Sequence, residues 1–243
     1  MNCASRSAGA ERAASARGVR PRRSWRRSIL VVLRTVAESS ALVIALAAFS
    51  CAPKAPPLRG TEARPALPPL VIPSGHSRLV FDWRYEDPDL RTRGEGAVRL
   101  ASPDSARLDL FLEGGLGTAV AILIGDTLRA PGPAAVRRLI PPAPLLWAAL
   151  GRLAVPAATD TSARLDGDTL RIDIGRGRVW RVIVARGALA RLERIDDGRI
   201  VQSVRRADAN HVRYYDATSR RTLDLTITRV DHDTDLDVSI WSF

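Results

Sequence analysis

One thiol stands out among the side chains able to do chemistry. Cys51 closes a ten-residue, mostly apolar run from Ala41 to Ser50, and no cysteine follows it. The local pattern Leu46-Ala47-Ala48-Phe49-Ser50-Cys51 puts small residues one and three positions before the thiol. That is the setting of a cysteine acylated as a leader is cut away. After such a cut the thiol has no disulfide partner, because Cys3 lies in the leader. Secretion without acylation, or a leader retained as an anchor, is the competing reading. The remaining reactive side chains form no catalytic pattern. His76, His211 and His232 have no zinc-ligand spacing. Gly114-Gly115-Leu116-Gly117 has no following lysine and precedes a strand-like segment, so it is not read as a phosphate cradle. No serine sits in a nucleophile elbow. Asp231, Asp233, Asp235 and Asp237 alternate, without the glycine and closing glutamate of a calcium loop, and read as a solvated acidic turn. No catalytic residue, metal site or cofactor is expected.

The leader also governs the charge. The whole chain carries 37 basic and 26 acidic residues, a net +11. Nine arginines and two glutamates lie in residues 1–50, which leaves 28 against 24, a net +4. A nucleic-acid partner loses its main support, since counterion release needs clustered basic residues facing phosphates. Three parts are expected: a signal peptide over 1–50, a lipidated Cys51 with a Pro-rich tether over 51–76, and one domain over 77–243. The apolar run is shorter than the ~20 residues of a membrane span. Seven prolines between Pro53 and Pro73 favour extended polyproline geometry for the tether.

Beyond Ser77 the hydrophobic period is mostly two, the signature of half-buried strands. Leu79, Phe81, Trp83 and Tyr85 alternate with polar residues, as do Leu108, Leu110 and Leu112, and Leu170, Ile172 and Ile174. Leu236, Val238 and Ile240 suggest a last strand. Asp87-Pro88-Asp89, Ser102-Pro103-Asp104, Gly125-Asp126, Asp166-Gly167-Asp168, Gly175-Arg176-Gly177 and Asp196-Asp197-Gly198 supply tight turns. The pattern predicts a mainly β fold, a half-open antiparallel barrel of about eleven strands. Ala134–Pro156 breaks it: from Ala143 the apolar spacing turns helical, between Pro144 and Pro156. A short, well-buried helical lid over one face of the sheet is expected.

The sheet's apolar face is the candidate site. Leu108, Leu110, Leu112, Val120, Ile122, Ile124 and Ile172, with Leu146, Trp147 and Leu150 of the helix, are expected to line a groove. An ordinary filled core is the competing reading. Leu116, flanked by glycines, is either folded back into that core or an exposed finger. With anchor, tether, meander, mid-chain helix and loop together, Ser77 to Phe243 resembles the LolA/LolB-like lipoprotein-carrier superfamily, and LolB-type outer-membrane lipoproteins in particular. The resemblance implies acyl-chain binding in the concave face and membrane contact through a leucine loop, here Leu116. It implies a monomeric, non-enzymatic protein, lipid-anchored on the periplasmic face of the outer membrane, with lipoprotein acyl chains or another lipid as partner. A structural envelope lipoprotein, with a filled barrel and a protein partner, is the alternative.

Overall fold

The computed structural model describes residues 52–241 apart from 66, 68–71, 73, 74, 116, 157 and 233–235. Its strands are, in chain order, β1 (Thr61–Glu62), β2 (His76–Glu86), β3 (Arg91–Ala101), β4 (Ser105–Leu112), β5 (Thr118–Ile124), β6 (Thr127–Arg129), β7 (Thr161–Asp166), β8 (Thr169–Ile174), β9 (Arg178–Ala185), β10 (Ala188–Asp196), β11 (Arg199–Arg206), β12 (His211–Asp216) and β13 (Arg221–His232). They form one 13-stranded sheet in the order β1-β7-β8-β9-β10-β11-β12-β13-β2-β3-β4-β5-β6. Two meanders are thus joined where the last strand, β13, pairs antiparallel with β2. The free edges, β1 and β6, are only two and three residues long. The result is a half-open barrel, and such short edges offer little template for unwanted pairing.

Local sequence chemistry sets this meander. Asp197-Gly198 and Arg186-Gly187 both take positive φ at two successive positions (50° and 72°, 51° and 75°), the backbone of a tight hairpin whose twist matches its strands. On β2 the interior side chains Phe81, Trp83 and Tyr85 alternate with exposed Asp82, Arg84 and Glu86. Phe81 and Trp83 lie opposite Gly96 and Gly94 of β3. A Cβ on Gly96 would come within 2.4 Å of the Phe81 ring, and one on Gly94 within 3.1 Å of Trp83. Missing side chains on β3 therefore make room for rings on β2.

The helical break comprises α1 (Ala134–Arg137) and α2 (Ala143–Ala149). Pro142 caps α2, and its end is set by Gly151 at φ 82°. The amide of Arg152 donates to the Trp147 carbonyl at 2.9 Å and that of Gly151 to Ala148 at 3.0 Å, a paired closure that satisfies the last carbonyls. Leu145, Leu146 and Trp147 are all buried, as is most of the helix.

Two expectations are corrected. Val238–Trp241 is a 3₁₀ turn, not a strand. The Asp237 carboxylate accepts the Ser239 amide at 2.8 Å, a local bond that diverts the backbone from a ladder. The segment expected as a free tether is, over its described part, laid against the sheet: Thr61–Glu62 is β1, and Lys54 bridges Arg199. Its prolines leave enough carbonyls and amides free to be bound by others.

Candidate lipid-binding interior

The inner face of the sheet is almost wholly apolar where β12, β13, β2, β3 and β4 adjoin. Over it lie Pro141, Leu146, Ala149 and Leu150 of the helical segment, and between the two is a cavity of about 20 Å³. That is room for roughly one water. The interior is therefore packed: Leu110, Leu145, Ile172, Val182 and Leu192 are completely buried. Between sheet and helix, a hydrocarbon chain fits only in space that the helix now fills.

Hydrogen bonds to the backbone hold the helical segment on either side of the cavity. Between α1 and α2, Arg221 donates to the Arg138 carbonyl at 2.9 Å. At the end of α2, Arg206 donates to the Ala149 carbonyl at 2.5 Å, a cation at the negative pole of the helix. Trp147 Nε1 donates to the Gly125 carbonyl at 2.6 Å, and Arg152 donates to the Pro103 carbonyl and lies over the Trp147 ring. Burial lowers the pKa of Arg206, partly offset by Asp208.

Arg221 belongs to a buried polar cluster. It donates to Asp216 at 3.2 Å and to the Tyr214 hydroxyl at 3.0 Å, while Gln202 donates to Asp216 at 2.9 Å. Burial raises the Tyr214 pKa, so the phenol stays protonated. Burial would raise that of Asp216 too, but bonds from Gln202 and the Ser219 amide, with the Arg221 charge, bring it below its ordinary value. Nearby, Tyr85 donates to Asp87 at 2.7 Å, and Arg138 lies 3.5 Å from the same carboxylate. Through Arg221 the cluster ties the helical segment to β12 and β13.

The expected groove residues divide in two. Leu108, Leu110, Leu146 and Leu150 line the cavity, and Leu112, Trp147 and Ile172 belong to the same interior cluster. Val120, Ile122 and Ile124 do not. Leu110, Leu108 and Ala106 lie opposite Ala119, Ala121 and Leu123, so the branched residues of β5 share the outer face with Asp109, Arg107 and Ser105. The sequence Thr118–Ile124 is apolar on both faces, and only strand pairing shows which face turns inward. Ile122 is nonetheless buried. The C-terminal turn is brought to that outer face by Arg107, which donates to the Ile240 carbonyl at 2.6 Å.

Phe81, Tyr214, Leu223 and Leu225 also line the cavity. Alternation marked their strands, but nothing in the sequence joined β13 to β2. The clamps Arg206 and Arg221 gave no signal among so many arginines. Cys51 and Leu116 lie outside the described residues, as do Asp233 and Asp235. His211 is exposed, 2.9 Å from Asp208.

The fold and site define a class: an open antiparallel barrel whose apolar face is plugged by a clamped helix. No protein-family model matches the sequence, and no curated protein matches it. Among solved structures, the chain is similar to a LolA-superfamily protein from Nitrosomonas europaea (11% identity, TM-score 0.44, covering 72% of this chain and 93% of that one). It is also similar to a DUF1329 family protein from Desulfovibrio piger (9%, 0.42, 70% and 90%). A third is an outer membrane lipoprotein-sorting protein domain from Vibrio parahaemolyticus (9%, 0.37, 69% and 89%). Likeness at this level concerns the course of the chain and assigns no ligand.

Proposed function

We infer that this protein is a non-catalytic lipid carrier of the bacterial envelope, which takes an acyl chain of a lipoprotein or another amphiphile into its barrel when the helical segment swings out. One observation carries the reading. The apolar inner face is covered at the cavity by one short helix, α2, and the helical segment is held by side chain-to-carbonyl bonds before it, at Arg138, and at its end, at Ala149. Such a plug can be exchanged. Re-exposing Leu145, Leu146 and Trp147 forfeits about 1.5–3 kcal/mol each. A chain that buries ten methylenes returns about 8 kcal/mol. The two are of the same size, which suits a carrier that must release what it binds.

Acylation of Cys51 would hold the protein on a membrane. Ala52 after the cysteine, with no aspartate there, fits the periplasmic face of the outer membrane. Among the described residues no helix is long and apolar enough to cross a bilayer. Leu116, in the glycine-rich connection from β4 to β5, would meet lipid. Leu116→Glu is then expected to slow transfer of cargo to liposomes, and an unchanged rate removes the loop from the mechanism.

Titration of the protein with a fluorescent long-chain fatty acid tests the carrier reading. Saturable uptake with an apolar emission shift is expected. No saturable uptake up to the solubility of the probe would overturn it. The second reading would then stand: a filled barrel, which the one-water cavity favours, serving as an anchored scaffold for a protein partner.

A further inference from the structure

From Ala52 to Ala63 the stretch before the domain makes a series of specific bonds to the sheet. The Ala52 carbonyl accepts from Arg199 at 3.0 Å. Pro53 accepts the Ile200 amide at 2.8 Å, and the Ala55 amide donates to Gly198 at 2.8 Å. The Pro56 carbonyl accepts from Arg181 at 2.6 Å. Gly60, at φ 108°, passes so close to β7 that a Cβ would sit 2.2 Å from the Leu165 carbonyl. Beyond it Thr61 and Glu62 pair with Leu165 and Arg164, and Ala63 donates to Ala163 at 3.1 Å. The chain thus runs from the β10–β11 turn to the β7 edge.

The outer face is built for this crossing. Asp173, Arg181 and Glu193 are registered neighbours on β8, β9 and β10. Arg181 holds both oxygens of Asp173, at 2.7 and 2.8 Å, and spends its remaining nitrogen on Pro56. Arg181 is 7% exposed and Glu193 3%, on a face that elsewhere carries solvated charges. A charged row is buried on the outside of a sheet only when something lies over it, and Arg181 of this row reaches the strap at the Pro56 carbonyl. A charge-assisted bond to a fixed carbonyl is a strong, oriented contact.

We propose that residues 52–63 are a strap that seats one rim of the barrel on the bilayer, rather than a spacer that holds the barrel away from it. This rests on the acylation of Cys51 inferred above. Cys51 is one residue from Ala52, about 3.8 Å between Cα atoms, and Ala52 is bound at the β10–β11 turn. Strand pairing shows which other turns share that rim. Asp196 lies opposite both Arg199 and Arg178, Asp216 opposite both Gln202 and Arg221, and Glu86 opposite both Thr222 and Arg91. The turns at 175–177, 196–199, 217–220 and 87–90 therefore open on one rim, and Leu112 and Thr118 flank the β4–β5 connection there too. The turns at 166–169, 185–188, 206–211 and 101–105 are on the other. The partner of the first rim is the lipid surface that holds the chain's own anchor.

The test is photo-crosslinking of the full, cell-processed protein in vesicles that carry a lipid with a photoreactive headgroup, with peptides read by mass spectrometry. Unacylated protein would be coupled to a maleimide lipid through Cys51, so that orientation is read in either case. Crosslinks are expected on 175–177, 196–199 and 217–220, at least several-fold above those on 166–169, 185–188 and 206–211. Ten Gly/Ser residues inserted between Cys51 and Ala52, about 17 Å of root-mean-square reach, should erase the bias and leave thermal stability unchanged. Equal crosslinking of both rims, a bias to the other rim, or a bias that survives the insert would overturn the strap. The intact mass reports acylation separately: an unmodified Cys51 with rim-selective crosslinks defeats the anchor and keeps the strap.

Discussion

Asp216 shows how much of the lid depends on single polar side chains. It is buried, with its pKa below the ordinary 3.8. The unfolded chain therefore takes up the extra proton first as the solution is acidified. The contribution of Asp216 is complete above pH 3.8 and is lost as pH falls through the lower, folded value. Asp216→Asn should cost about 1–3 kcal/mol at pH 7 and flatten the loss of stability below pH 4, both read from urea melts across pH. An unchanged acid slope would show that other carboxylates govern it. None of this was legible in the sequence. Gln202, Tyr214, Asp216 and Arg221 are strangers until β11, β12 and β13 pair, and an arginine that binds a carbonyl looks like any surface arginine.

The elements themselves were largely legible, because tight turns and a period of two are local properties. The face each strand turns inward was legible only where polar residues marked the other face. β2 reads correctly because Asp82, Arg84 and Glu86 alternate with its rings. β5 misleads because Val120, Ile122 and Ile124 look more like core than Ala119 and Ala121, yet the small residues are the ones that belong to the interior cluster. Two substitutions separate sheet from lid. Gly96→Ala must push the Phe81 ring aside and should destabilise by about 1–3 kcal/mol through overpacking. Leu146→Ala removes a plug residue that already borders a small void, and should cost about 2–5 kcal/mol while enlarging that void. Denaturant midpoints at constant slope check both.

For the whole molecule, stability and affinity are opposed if the interior is a binding site. With the helix in place the cavity beneath it has no room for a chain, so the intrinsic affinity there is reduced to the fraction of molecules with the helix displaced. Anything that weakens the plug raises that fraction, and anything that weakens the sheet does not. Arg206→Ala, which frees the Ala149 carbonyl, and Leu146→Ala should thus lower stability and tighten fatty-acid binding together. Gly96→Ala should lower stability with no gain in affinity. The lid variants should also exchange amide hydrogens faster across 143–152 while β2 and β13 stay protected. A filled scaffold behaves otherwise, because lid and sheet variants would then lose stability alike and neither would bind a chain. The sign of the affinity change in Arg206→Ala, measured beside its melting temperature, therefore separates a carrier from a scaffold.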